Sequence, residues 1–293
     1  MRRWSTSQLM QQTVFVGPAL FAYAIVMVLP FLLGLYYSFT NWNGVSSQID
    51  WLGLKNYVTI LTDDPDFGSS LWFTARFTFT VVLISNLLGF LIAYLLSKPM
   101  KSRNMLRTIF FMPNVLGGLL LGFIWRFIFT EGFAAIGEST HIGFFELPWL
   151  STEASAFWGI VLVSVWQGAG YLMVIYIAGL TNVPSDMLEA AAIDGASGFQ
   201  ILRNIVLPLI MPAVTICLFL SISWTFKSFD LNFSLTQGGP FKSTESVAMN
   251  IYYEAFKNNR YGLGTAKAVI FFIVVTVITM IQVSITKKRE VEM

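Results

Sequence analysis

Lys227 lies near the end of an apolar run, within Trp-Thr-Phe-Lys-Ser-Phe at residues 224–229. An ammonium in or near a bilayer interior is costly and usually faces a cavity or a partner. In a cavity it can donate hydrogen bonds to the hydroxyls of a bound molecule. Two other readings stay open: its stem carries the charge to the interface, or Asp230 pairs with it. Arg76 and Arg126 have similar settings, and for them the interfacial reading is favoured. The second candidate group is an acid. Glu189 opens Glu-Ala-Ala-Ala-Ile-Asp-Gly at residues 189–195, between two apolar runs. That stretch is too polar to cross a bilayer and too apolar for an idle linker.

Other chemistry is missing from the sequence. There is no Gly-x-x-x-x-Gly-Lys-Ser/Thr loop to cradle a phosphate, and GLGTAK at residues 262–267 has the wrong spacing. His-Glu-x-x-His, Cys-x-x-Cys and Gly-x-Ser-x-Gly are also missing. A single cysteine, Cys217, leaves no internal disulfide, and a single histidine, His141, argues against a histidine metal site. His141 falls in an outer loop and is assigned no role. No catalytic residue, metal ligand or bound cofactor is therefore expected in this chain. If transport is active, its energy enters through another subunit or an ion gradient. The net charge of +2 gives no sign of nucleic-acid binding.

The elements that position these residues are apolar helices. Of 293 residues 55% are apolar and 12% charged, against about 25% charged in a soluble domain. Six runs are long enough to cross a bilayer, which takes about 20 residues each: 14–38, 71–96, 107–130, 156–180, 208–228 and 264–286. The short alternating segments of a barrel are absent. The chain is thus expected to be an all-α membrane protein, a six-span transmembrane bundle. The first run has no small-residue cleavage site after it and reads as a retained span rather than a signal peptide. Basic residues set the orientation. With the N-terminus inside, the inner segments hold ten of them, among them Arg2, Arg3, Lys98, Lys101, Arg203 and Lys287. The outer loops hold four: Lys55, Lys242, Lys257 and Arg260. Lys267 stands at the edge of the last span. The loop 131–155 has four glutamates and neither lysine nor arginine, so it faces outward. The expected organisation is a cytoplasmic N-terminus at 1–13, a six-span transmembrane domain at 14–286 with a cytoplasmic loop at 181–207, and a cytoplasmic tail at 287–293.

Within that loop the residue types predict a short helix. Pro184 suits a helix entrance, and Asp186 with Glu189 three residues on is a capping-box variant. Gly195 and Gly198 let the chain turn. Met187, Ala190, Ala191 and Asp194 share one face. Small alanines permit close approach by another surface, and Glu189 offers it a charge. The competing reading is an interfacial helix packed under its own bundle.

The spacing adds more. Glu189, Ala190, Ala191, Gly195, Ile205, Leu207 and Pro208 match the pattern E-A-A, three residues, G, nine residues, I-x-L-P. This resembles the EAA loop of permease subunits of binding-protein-dependent ABC importers. The resemblance implies that the loop is a coupling helix docking on an ATPase subunit, with Glu189 meeting an ATPase arginine and Asp194 beside it. Further stretches sharpen it: SFTNW at 38–42, NVLGGLLLGFIWRFIF at 114–129, VWQGAGYLMVIYIAGLTNVP at 165–184 and LTQGGPFKSTESVAMNIYYEAF at 235–256. Together they are similar to carbohydrate permeases of the maltose, lactose and raffinose kind, from about Val14 to the end.

The resemblance implies a type I ABC importer permease fold and several partners: a second homologous permease subunit, two ATPase subunits holding ATP and Mg, and an extracytoplasmic sugar-binding protein. It places the chain in a bacterial or archaeal plasma membrane and implies alternating access as the mechanism. By alignment with the maltose importer's larger permease, Gly168, Tyr171, Trp224, Thr225 and Ser228 match sugar-contacting positions. Gln167 and Lys227 lie within the same stretches. Asparagines there stand as Thr225 and Ser228 here. The expected cargo is a carbohydrate, most simply an oligosaccharide. The rival cargo is a polyol or glycerol phosphate. An ion-coupled secondary transporter would require acids well inside spans, and none is present.

Overall fold

The computed structural model describes residues 6–289. Arg2, Arg3 and residues 290–293 lie outside them. Among the described residues the chain is helical, with one isolated bridge between Thr40 and Trp51. The helices are α1 (Thr6–Tyr23), α2 (Leu29–Tyr37), α3 (Lys55–Thr62), α4 (Pro65–Ser97), α5 (Arg103–Phe111), α6 (Gly118–Phe127), α7 (Phe133–Thr140) and α8 (Glu153–Thr181). They continue with α9 (Ser185–Ile193), α10 (Gly198–Ile201), α11 (Leu207–Leu209), α12 (Met211–Phe226), α13 (Asp230–Leu235), α14 (Val247–Tyr252) and α15 (Tyr261–Lys287). They divide into two compact units.

The larger unit, Pro65–Asn250 with Phe271–Met293, is organised on α4 and α8. These run parallel: Phe73 meets Phe157 near their starts, with centroids 6.2 Å apart, and the Gly89 backbone approaches Ala169 and Leu172 further along. Phe73, Phe77, Val81, Phe157, Ile160 and Leu231 anchor one apolar cluster. Ala93, Leu172, Met173, Tyr176, Ile210 and Cys217 anchor a second. A polar link ties α4, α8 and α12: the Tyr176 hydroxyl donates to Asn86 Oδ1 at 2.8 Å, and Asn86 Nδ2 donates to Ser221 Oγ at 3.0 Å. Such interhelical bonds hold helices where apolar burial cannot, because lipid tails are as apolar as the helices themselves. Gly170 lets α5 touch α8: a Cβ there would lie 1.8 Å from the Phe110 carbonyl oxygen.

The smaller unit is Met1–Asp64 with Ile251–Ile270. In it α1 passes through a π-helical turn, Ala24–Val28, into α2. Pro30, which has no N–H to donate, lies two residues after that turn. The chain then folds over itself. Asn56 Nδ2 donates to the carbonyls of Ser38 and Thr40, both at 2.9 Å, and Tyr37 stacks on Trp42 at 4.1 Å. Lys267, placed by the sequence at a span edge, is buried in α15 at 1% exposure. Its Nζ lies 2.7 Å from Asp64 Oδ2 and 2.6 Å from Glu254 Oε2. Arg260 Nε donates to the other oxygen of Glu254 at 2.6 Å. Two cations and two carboxylates therefore satisfy one another.

Among the described residues, five helices are long and apolar enough to cross a membrane: Val14–Tyr37, Pro65–Ser97, Gly118–Thr140, Glu153–Thr181 and Tyr261–Lys287. Four of them coincide with expected spans. The third differs. The run 107–130 is not one helix; α5 gives way to a 3-10 turn, Met112–Val115, and Leu116 and Gly117 are extended, with ψ of 131° and 142°. Pro113 interrupts the hydrogen-bond ladder, so the span starts at Gly118 and runs ten residues into the segment 131–155, which had been expected to be all loop. The fifth also differs. Instead of 208–228, α12 has 16 residues and is bent by 70° from the helix Gly198–Leu209. Pro208 and Pro212 flank the break at Ile210, where neither can support a continuous ladder.

Substituting Lys267 should expose what its cluster contributes. Lys267→Met leaves Asp64 and Glu254 without their shared cation, a loss of about 3–5 kcal/mol. Thermal unfolding in detergent should show a clearly lower midpoint, and Lys267→Arg should recover most of it. An unchanged midpoint for Lys267→Met would contradict the pairing.

Candidate functional site

A cavity of about 340 Å³ opens in the larger unit. The side of α8 from Ser164 to Gly168 forms one wall. The end of α12 and the turn Lys227–Phe229 form another, continued by the start of α13. Asn114 and Gly118 close it from the broken segment between α5 and α6, and Phe77 of α4 contributes an apolar surface. The helix geometry explains the wall on α8: Ser164, Gln167 and Gly168 stand three and four residues apart and so share a face.

Of the seven residues expected to meet substrate, Gln167, Gly168, Trp224, Thr225, Lys227 and Ser228 line this cavity. Tyr171 does not. It lies one turn further along α8, against the second apolar cluster, with its ring centroid 5.8 Å from that of Trp224. Trp166 turns to another face and meets Trp125 at 5.4 Å. Thr225 is 1% exposed and its hydroxyl donates to the Ser221 carbonyl at 2.7 Å. It therefore forms wall rather than offering a free hydrogen-bond donor. Ser228 Oγ donates to Asn232 Oδ1 at 2.8 Å, and Gln167 Nε2 to the Leu116 carbonyl at 3.0 Å. Gln167 thus also holds the extended break before α6. Gly168 has a steric reason: a Cβ there would lie 2.6 Å from Trp224 Cζ2, so only glycine lets the indole rest on α8.

Lys227 and Asp230 both line the cavity, yet no ion pair joins them among the described residues. The pairing alternative for Lys227 is thereby excluded. Arg76 and Arg126 are exposed, and the Arg76 guanidinium lies 4.1 Å from the ring centroid of Phe157. Sequence reasoning missed Asn114, Ser164 and Asp230 as lining residues. Ser164 was readable from its helical spacing to Gln167. Asn114 was not, because it reaches the cavity only through the break at Pro113.

The second candidate region is the loop carrying Glu189. Its helix α9 begins after Pro184, which stands at the cap position in an extended conformation and makes no side-chain cap bond. Asp186 therefore lies inside the first turn and is not the cap; there its charge still complements the helix dipole. The end is better defined. Gly195 has φ of +78°; its N–H bonds to Ala192 O at 3.1 Å and that of Ala196 to Ala191 O at 3.0 Å. This is a Schellman motif, which needs a left-handed residue at that point. Gly198 has no such role. It begins α10, capped by Ser197, whose N–H bonds to Gln200 Oε1 at 2.7 Å.

The expected shared face of α9 is divided. Glu189, Ala190, Asp194 and Met187 are exposed, while Ala191 is half-buried beside Leu188, which packs on the bundle. Ile193 is 86% exposed. Ile205, Leu207 and Pro208 are half-buried, and Leu207 joins the second apolar cluster. They root the loop in the bundle, whereas Glu189, Ala190, Asp194 and Gly195 present it outward.

A valine at Gly195 would have to enter the left-handed region, a cost of about 1–2 kcal/mol. Gly195→Val should therefore speed amide exchange across Asp194–Ala196, while Gly198→Ala should leave it unchanged. Equal effects from the two would contradict the cap. Gly168→Val should displace the Trp224 indole and shift its fluorescence.

Three comparisons bear on identity. The family model described as "Binding-protein-dependent transport system inner membrane component" matches residues 85–291. The probable starch degradation products transport system permease protein AmyD of Thermoanaerobacterium thermosulfurigenes is 48% identical over 280 residues, covering 96% of this chain and 95% of that protein. The multiple sugar-binding transport system permease protein MsmF of Streptococcus mutans is 35% identical, covering 89% and 90%. A bacterial ABC transporter involved in the import of the acidic polysaccharide alginate has a chain that superposes with a TM-score of 0.82 at 18% identity, over 96% of this chain and 95% of that one. That likeness shows a common fold. With the family pattern spanning most of the helical bundle, the chain belongs to the inner membrane components of binding-protein-dependent transport systems.

Proposed function

We propose that this chain is one of two homologous permease subunits in an ATP-driven importer of an oligosaccharide. The observation that carries this reading is the cavity itself, in a chain 48% identical to a permease for starch degradation products. It combines the Trp224 and Phe77 rings with hydroxyl, amide and ammonium groups. Aromatic faces pack on the C–H patches of a sugar ring, and polar groups meet its hydroxyls. A phosphorylated polyol would want more than one cation at the site, and among the described residues Lys227 is the single cation lining the cavity.

The exposed loop helix supports a coupling role. Glu189, Ala190 and Asp194 form a small-residue, acidic surface suited to an arginine-bearing cleft on an ATPase subunit. ATP and Mg are held in that partner. Both termini face the cytoplasm, as the distribution of basic residues indicates, and an extracytoplasmic binding protein delivers the sugar to the other side. Nucleotide drives alternating access by binding one arrangement of the complex better than the other.

Affinity capture of the tagged chain from its native membrane should bring down a second permease and a P-loop ATPase. Glu189→Lys should reduce ATPase recovery about tenfold or more and abolish sugar-stimulated hydrolysis, since a repelling charge replaces an attracting one. The second permease should still be recovered. Normal sugar uptake with Glu189→Lys would refute the coupling role, and capture of the chain alone would refute the importer.

A further inference from the structure

Three polar side chains in the cavity are already committed. Thr225, Ser228 and Gln167 each donate to a group of the protein itself. Lys227 and Asp230 stand apart from this. Both are exposed, both line the cavity, and neither pairs with the other. Opposite charges three residues apart on one helix would ordinarily close on each other. Here they do not share a helix: α12 ends at Phe226, the chain turns through Lys227, Ser228 and Phe229, and α13 starts at Asp230. Asp230 is backed by α6, where a Cβ on Gly118 would lie 3.0 Å from the Asp230 Cβ.

We propose that Lys227 and Asp230 act as a charge filter that admits uncharged, hydroxyl-rich sugars and rejects sugar acids, with Asp230 as the specificity-determining residue. The proposal rests on the carbohydrate reading above. An ammonium only donates hydrogen bonds and a carboxylate only accepts them. A sugar hydroxyl does both, so neighbouring hydroxyls satisfy the two groups without bringing net charge. A lone Lys227 would attract a uronate or a phosphate. With Asp230 in the same 340 Å³ space, an anionic sugar meets a like charge at close range. Specificity built in this way relies on the repulsive element as much as the attractive one. The chain of the transporter for acidic alginate shares this fold, so the fold alone does not set the class of cargo.

The test uses the permease–ATPase complex in nanodiscs, freed of binding protein, with saturation-transfer NMR. The probes are maltotriose and trigalacturonate, α-1,4 trimers that differ in the group at C6 and in the configuration at C4, so the charge effect is read from how each variant changes their ratio. The wild type should bind maltotriose and bind trigalacturonate at least about tenfold less well. Asp230→Asn should raise trigalacturonate binding about tenfold, Asp230→Glu should keep the discrimination, and adding Lys227→Gln to Asp230→Asn should remove the gain. An unchanged ratio of the two sugars in Asp230→Asn, or equal binding by the wild type, overturns the filter while leaving the carbohydrate reading intact. If no variant binds either trimer although the subunits stay assembled, the carbohydrate reading fails and the filter falls with it.

Discussion

The close parallel contact of α4 and α8 is the constraint on which the rest of the larger unit depends. In lipid there is little hydrophobic gain from bringing two apolar helices together, so they must meet through intimate packing and a few buried polar links. Small residues supply the first requirement, and the Tyr176–Asn86–Ser221 chain supplies the second. Once α8 is held in this way, Gly170 receives the end of α5, and Gly168 receives the indole of Trp224 from α12. The cavity is therefore a by-product of the same packing. It lies where α12 stops and α6 begins, against the face of α8 that carries Ser164, Gln167 and Gly168.

The sequence revealed some of this and hid the rest for identifiable reasons. Four spans were legible because each is an uninterrupted apolar run of sufficient length. The third and fifth were misplaced because hydropathy does not register a lost N–H; Pro113, Pro208 and Pro212 break helices inside runs that read as continuous. Gln167, Gly168, Trp224 and Thr225 were legible through their types and the resemblance to carbohydrate permeases, while Ser164 was overlooked. Asn114 and Gly118 were not legible, since a break in the chain, with no periodic signal, brings them to the cavity. In the loop, Gly195 was rightly read as a turn. The cap was misassigned to Asp186 because Pro184 also fits the start of a helix, and the two differ by less than one turn.

The charged residues show how far environment outweighs sequence position. Lys227 and Lys267 both lie at the edge of an apolar run. One stands unpaired at a cavity; the other is sealed between two carboxylates contributed by distant segments. Nothing local distinguishes them. What separates them is whether the fold brings acids into reach, which only long-range packing decides.

The sharp bend at Ile210 has a mechanical consequence. The loop-bearing helix Gly198–Leu209 and α12 are continuous in sequence but meet at 70°. A helix of 16 residues is an arm of about 24 Å. A tilt of about 10° about that elbow moves its far end by about 4 Å, more than a hydrogen bond's length. The far end carries Trp224 and Lys227. Any rotation about that elbow is thus enlarged along α12, with proline rather than glycine at the fulcrum.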